Sequence, residues 1–387
     1  MATTQIGKSQ TKKTSIGRVL PLDGIRALAI LAVVFYHLHI PGFKGGFIGV
    51  NIFFVLSGYL ITSLLLKEEM QTATIRLGRF WIRRVLRLYP TLIVVVAVGA
   101  SLWFLIGTYG YSELSAGGAA LVALTYTGNF VRAFGHISQG VFAPSWSLAM
   151  EEQFYLVWPP ILVLLLSSGL RRRTIEWVLG GFVVASCVLA SVLYVQPHGV
   201  ATPDIYFSPV SNVAPLLLGC VLALVLTHEK ARRVFASRVG QLASWAGFVG
   251  IFAIMFTISD DWKQQAHFFG LTLPAVGLAT ALMVGGLVSR PSLVNTFLSW
   301  KPMSWFGRNV SYSLYLWHML IMALLDPLVS GLAGKFIMLG ASIVVAIASH
   351  YVIEKPFLRV KTRFEPASWS KRVTKAQSQT TVESLRV

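Results

Sequence analysis

Charge is what this chain has least of. Only 12% of its 387 residues are Asp, Glu, Lys or Arg, while 55% are hydrophobic. An ordinary soluble domain carries about twice that charged fraction, so an integral membrane protein is implied. Acid is scarcer still: 15 acidic residues stand against 33 Lys and Arg, a formal net charge of +18. There are two cysteines, Cys187 and Cys220, both in apolar stretches. They read as packing residues and say nothing about redox compartment. A serine elbow, a metal-ligand spacing, a phosphate loop and a Gly-rich dinucleotide fingerprint are all missing. No internal repeat is evident.

What is present is a series of apolar stretches able to cross a bilayer of about 30 Å as helices. They lie near residues 20–40, 47–66, 89–108, 147–167, 175–195, 206–226, 240–258, 268–289, 308–326 and 333–353. The fold class expected is therefore an all-α polytopic membrane protein of about ten spans. The basic segment 1–19 runs straight into the first span without a small-residue cleavage site, so that span is read as a retained helix. Ten spans put both termini on one side. That side holds 28 of the 33 Lys and Arg; Lys44, Arg132, Lys263 and Lys335 lie on the other, and Arg26 lies within span one. By the positive-inside rule the basic side is cytoplasmic. Topology and anionic lipid account for the charge excess, and no nucleic acid is needed. Residues 118–131 are apolar but short, and a full crossing there would put Arg171, Arg172 and Arg173 outside. Residues 109–146 are accordingly read as an outer-side, re-entrant excursion packed against protein. The membrane domain covers 20–356, and the polar, basic tail 357–387 is expected to be disordered and cytoplasmic.

Polar residues inside the spans are few enough to take singly. The first span, PLDGIRALAILAVVFYHLHIP, holds Arg26 and His37. Eleven residues of helix turn through about 1100°, three turns and roughly 20°, so the two side chains share a face about 16 Å apart along the axis. A cation in hydrocarbon is costly unless it faces protein or a wet cavity. The pair reads as a polar stripe serving a site reachable from both sides. The other reading has Arg26 snorkelling to the near headgroups while His37 caps the far end.

The segment IRLGRFWIRRVLRLYP, in the first cytoplasmic loop, carries Arg76, Arg79, Arg83, Arg84 and Arg87. Arg84 and Arg87, three apart, share a helical face just before Pro90. Guanidiniums interleaved with Phe80 and Trp81 suit phosphate oxygens and a stacked base; an interfacial helix on anionic lipid has the same composition. Span four opens with VFAPSWSLAMEEQFYLVWPP, which places the adjacent Glu151 and Glu152 near the outer face, at the depth expected of His37. A carboxylate beside an imidazole orients the ring for general-base work. The alternative, an acid at a helix N-terminus with Ser145 or Ser147 as cap, covers one glutamate more readily than two.

Weaker candidates follow. In NVSYSLYLWHMLIM of span nine, Tyr315 and Trp317 suit an interfacial belt, whereas His318 is too deep for one. Asn51, Ser57 and Gly58 in span two read as residues that permit close helix packing. Glu354 is expected to pair with the cytoplasmic arginines, and His39, His136 and His228 have bland explanations at loops and interfaces.

Five segments, LDGIRALAILAVVFYH, GGFIGVNIFFVLSGYLIT, RFWIRRVLRLYP, PSWSLAMEEQFYLVWP and SYSLYLWH, followed by IEKP, stand in this order between residues 22 and 356. In order and wording this set resembles the membrane-bound acyltransferase-3 family. The resemblance implies transfer of acyl groups, commonly acetyl from acetyl-CoA, to hydroxyls of extracytoplasmic glycans or of secondary metabolites. Family members carry an Arg followed eleven positions later by His in helix one, matched by Arg26 and His37. They also carry an Arg-x-x-Arg pair after helix two, matched by Arg84 and Arg87. The extra helix and esterase-like domain of some relatives are expected to be absent.

These readings converge on one expected mechanism in a bacterial plasma membrane. Acyl-CoA docks from the cytoplasm, its phosphates on Arg84 and Arg87 with help from Arg83, and its thioester arm passes Arg26. His37 deprotonates an acceptor hydroxyl, with Glu151 or Glu152 orienting the ring. Ser57, Tyr315 and His318 are candidates for substrate contact or support, and no metal is expected. The acceptor is a cell-envelope glycan or a small sugar-bearing metabolite such as a macrolide. A transporter, or a non-catalytic sensor or scaffold, are the rival classes.

Overall fold

The computed structural model describes residues 19–107, 112–195, 202–258 and 268–364. The tail 1–18, the tail from 365 and Lys263, each given a place in the expected topology, lie outside these residues. Among the described residues the regular secondary structure is helical, apart from a single bridge between Ser112 and Gln139. Helices suit lipid because every backbone polar group is paired within its own segment.

The first three helices are α1 (Leu20–His37), α2 (Gly49–Thr72) and α3 (Leu77–Ile106). The excursion folds as α4 (Ala116–Leu124) and α5 (Gly128–Phe134), followed by α6 (Ser145–Ser167) and α7 (Arg172–Val195). Next come α8 (Thr202–Phe207), α9 (Pro209–Val225), α10 (Glu229–Ala236), α11 (Arg238–Thr257) and α12 (Leu273–Ser289). The chain closes with α13 (Leu293–Leu298), α14 (Lys301–Asn309), α15 (Ser311–Leu325), α16 (Gly331–Ser349) and α17 (Lys355–Lys361). Nine helical segments among the described residues are long and apolar enough to cross a bilayer, and α15 is a shorter apolar helix of 15 residues.

Two expectations are sharpened. Neither α4 nor α5, with 9 and 7 residues, reaches even half of a bilayer core at about 1.5 Å per residue. The arginine segment is not a loop: it forms the first turns of α3, which continues through Pro90 to residue 106. A membrane helix absorbs a proline because its neighbours re-satisfy the freed backbone groups.

The inner helices are drawn together at glycines. A Cβ on Gly58 would stand 1.9 Å from the Leu216 carbonyl oxygen, and one on Gly219 would stand 2.2 Å from that of Val55. α2 and α9 thus meet backbone to backbone, the close approach that small residues allow where lipid supplies no hydrophobic drive. By contrast α7 turns Trp177, Phe182, Val184 and Val188 outward, the apolar surface expected of a lipid-facing helix. The inner helices are thereby left to carry the polar residues.

Candidate active site

A cavity of about 260 Å³ lies among α1, α2, α3, α6 and α15. It is lined by Arg26, Ser57, Arg84, Arg87, Glu151 and Tyr315, six residues singled out in the sequence, and also by Ser147, Tyr155, Ser311 and Tyr312. On α2 the spacing Ser57, Leu60, Ile61, Leu64 turns one helical face to the cavity. On α6 the stripe Ser147, Glu151, Tyr155 repeats every four residues and does the same. The i+4 spacing from Glu151 is the signal in the sequence that marks Tyr155 as a further lining residue.

The polar groups form a connected chain. Tyr155 donates its hydroxyl hydrogen to Ser57 Oγ at 2.9 Å, and Ser57 donates to Glu151 Oε1 at 2.8 Å. Tyr155 Oη also lies 3.3 Å from Glu151 Oε2. Arg26 Nη2 lies 3.4 Å from Ser311 Oγ, while its Nε is buried without a partner among the described residues. Arg84 sits over the Tyr155 ring at 4.9 Å and the Phe80 ring at 5.5 Å, a cation–π setting that fixes the guanidinium plane. Three guanidiniums face one lining carboxylate, so the cavity favours an anionic guest.

Several expected partnerships are corrected. Arg83 turns away from the cavity: it lies 3.4 Å from the buried Glu68 and donates to the Phe364 carbonyl at 2.9 Å. One residue of helix is a rotation of about 100°, enough to part Arg83 from Arg84. Phe80 is buried and the Trp81 indole donates to the Tyr155 carbonyl at 3.1 Å, so both rings are packing groups rather than a stacking platform. Glu354 pairs not with arginines but with His350 at 3.0 Å and with Ser313.

His37 does not line this cavity. It lies at the far end of α1 on a second cavity of about 530 Å³, together with His39, Ser138, Asp326, Lys335 and three methionines. Its Nδ1 donates to the Val33 carbonyl at 2.9 Å. A carbonyl only accepts, so the proton is on Nδ1 and Nε2 keeps its lone pair. Neither glutamate meets it. Glu151 is tied to Ser57, and Glu152 lies within electrostatic range of Arg84 and Arg87. The physical reason is depth: α6 begins at Ser145, so Glu151 is about 9 Å below the helix end, whereas His37 is the last residue of α1. The neighbour of His37 is His318, with ring centroids 5.0 Å apart.

Between the cavities stands Tyr315. Its hydroxyl donates to the Pro144 carbonyl at 2.9 Å and lies 2.5 Å from Ser147 Oγ, and its ring is 5.7 Å from that of His318. Ser147 is thus a partner of Tyr315; α6 has no side-chain cap. Among the described residues no group of three or more His, Cys, Asp or Glu side chains is placed to hold a metal ion.

A sequence profile described as an acyltransferase domain, acyltransferase-3, matches residues 20–354. The chain is 31% identical over 360 residues to peptidoglycan O-acetyltransferase OatA of Listeria monocytogenes, covering 90% of this chain and 57% of that protein. It is 32% identical over 359 residues to the putative peptidoglycan O-acetyltransferase YrhL of Bacillus subtilis, covering 89% and 56%. It is 31% identical over 366 residues to a putative O-acetyltransferase of Staphylococcus aureus, covering 90% and 59%. The chain therefore spans a little over half the length of these curated relatives. No solved structure matches it.

Proposed function

The chain belongs to the acyltransferase-3 family, and from that premise we propose that it moves an acyl group, acetyl foremost, from acyl-CoA on its basic face to a hydroxyl of a cell-envelope glycan on the opposite face. The observation that carries this reading is the division of labour between two cavities. Arg26, Arg84 and Arg87 gather on one, and His37 stands on the other, with Tyr315 and His318 between. Acyl-CoA is too highly charged to cross lipid, and the positive-inside rule supports a cytoplasmic placement of the arginine side.

In this reading Arg84 and Arg87 hold donor phosphates, and the thioester arm extends past Arg26 toward Tyr315. His37 Nε2 takes the proton of the acceptor hydroxyl, whose oxygen attacks the thioester carbonyl. The C–O bond forms, the C–S bond breaks, and the proton ends on the departing CoA sulfur. Glu151, held by Ser57 and Tyr155, offsets the arginine charge so that the bare cavity is not a cluster of like charges. The glycan acceptor is supported by the relatives named as peptidoglycan O-acetyltransferases, and the bacterial plasma membrane by the organisms they come from.

The test is acyl transfer from radiolabelled acetyl-CoA in membranes containing the wild-type chain or His37→Ala. Label in polymeric or lipid-linked glycan with wild type alone supports the reading. Label in a soluble small molecule replaces the glycan, and undiminished transfer by His37→Ala removes His37 as the base.

A further inference from the structure

We propose that the cavity at the His37 end of α1 takes an N-acylated amino sugar, with Asp326 and Lys335 as its specificity-determining residues. This deepens the reading in which that cavity receives the acceptor, and it rests on that reading. The cavity, of about 530 Å³, lies where the end of α15 meets the first half of α16. To its wall α15 brings Met319, Met322 and Asp326, and α16 brings Lys335 and Met338.

Packing does not account for Asp326. It is the C-cap of α15, where a carboxylate meets the negative end of the helix dipole and is disfavoured. Its backbone N–H donates to the Met322 carbonyl. Its side chain is exposed and has no hydrogen bond or ion pair among the described residues. Lys335 is half-buried, and its ammonium donates to the His39 carbonyl at 2.7 Å. That uses one of its N–H groups, and the others have no partner among the described residues. The two charges thus line one cavity without pairing with each other. Held apart in this way, they offer an acceptor and a donor to a single guest.

The occupant follows from what the walls offer. A carboxylate only accepts, so the guest brings hydroxyl hydrogens to Asp326. An ammonium only donates, so the guest brings an oxygen acceptor to Lys335. Met319, Met322 and Met338 supply an apolar, adaptable bed for a methyl group. An N-acetylated amino sugar carries all three: ring hydroxyls, an amide carbonyl and a methyl. A plain sugar lacks the methyl, a phosphate would meet the charge of Asp326, and a de-acetylated amino sugar would set its ammonium against Lys335. A further sugar hydroxyl remains for His37, which lines the same cavity.

The probes are the pentamer of N-acetylglucosamine and its fully de-N-acetylated counterpart, added to the full chain in lipid nanodiscs and followed by saturation-transfer NMR. The N-acetyl methyl should carry the strongest signal, and the N-acetylated pentamer should bind about 10-fold more tightly than the other. Asp326→Ala and Lys335→Met should each weaken the N-acetylated pentamer about 10-fold, as expected for one hydrogen bond to a charged group. Lys335→Glu should invert the preference between the pentamers, which loss of the tie to His39 alone would not do. Asp326→Ala, at an exposed side chain, keeps the test decisive should a Lys335 variant fail to fold. Absence of binding, equal binding of both pentamers by the wild type, or wild-type affinity in Asp326→Ala overturns the proposal. His37→Ala keeps the two claims apart, since it should bind the N-acetylated pentamer and fail to transfer from acetyl-CoA. Undiminished transfer there defeats His37 as the base, whereas an inactive His37→Ala beside binding indifferent to Asp326 and Lys335 defeats this proposal alone.

Discussion

Tyr315 on α15 and Ser147 on α6 meet hydroxyl to hydroxyl at 2.5 Å on the wall of the cavity that holds Arg26, Arg84 and Arg87. Because Tyr315 also donates to the Pro144 carbonyl, one phenol ties α15 to the start of α6.

Replacing Tyr315 with Phe removes both contacts and leaves the Pro144 carbonyl its longer bonds from Ser147, 3.3 Å from the N–H and 3.4 Å from Oγ. Stability should drop by about 0.5–1.5 kcal/mol, seen as a lowered thermal midpoint in detergent. Transfer should fall with it, while acetyl-CoA binding, assigned to the arginines in the proposed function, should persist.

Arg84→Ala and Arg87→Ala should act on the donor. Each removes a cation from the cavity wall, so KM for acetyl-CoA should rise about 10-fold or more, in keeping with the loss of a charge-assisted contact. The rise should weaken for a donor lacking the 3′-phosphate if that group is the one held. Initial-rate kinetics across donor concentration in membranes would show it.

Arg83→Ala should behave differently from both. It strands Glu68, which is 1% exposed and lies 3.4 Å from the lost guanidinium. Breaking a buried pair from one side costs about 3–5 kcal/mol, so the expected result is loss of folded protein rather than a raised KM. Arg83→Met combined with Glu68→Leu should recover most of the yield, measured by fluorescence-detected size exclusion.

Ser57→Ala deletes the hydroxyl that joins Tyr155 to Glu151. The carboxylate then loses a 2.8 Å donor, and kcat should fall with little change in folded yield, since Ser57 faces a cavity and leaves no enclosed void. Ser57→Thr should keep the hydroxyl and much of the rate.

The spans, and the placing of Arg26 and His37 toward opposite ends of α1, were legible because apolar length and an eleven-residue spacing are local properties. Arg84 and Arg87 were legible as a face for the same reason. What was not legible depended on where helices begin. Glu151 was paired with His37 because both are polar residues near an outer end, yet the start of α6 at Ser145 sinks Glu151 to the level of Ser57. Arg83 was grouped with its neighbours by composition. Its true partner, Glu68, lies across the turn at Ala73, whose left-handed φ of 54° ends α2. His318 stood out only by its depth, and its relation to His37 is a contact between the first helix and the fifteenth.

The glycine seam between α2 and α9 reaches beyond packing. With Gly58 and Gly219 pressed on backbone, α2 cannot retreat, so the cavity it walls has one immovable jaw. If the proposed donor binds here, the side chains on that jaw, Phe53, Leu60 and Leu64 among them, would set the length of acyl chain admitted. Donor preference would then be retuned one substitution at a time, toward longer or shorter chains, with the bundle left as it is.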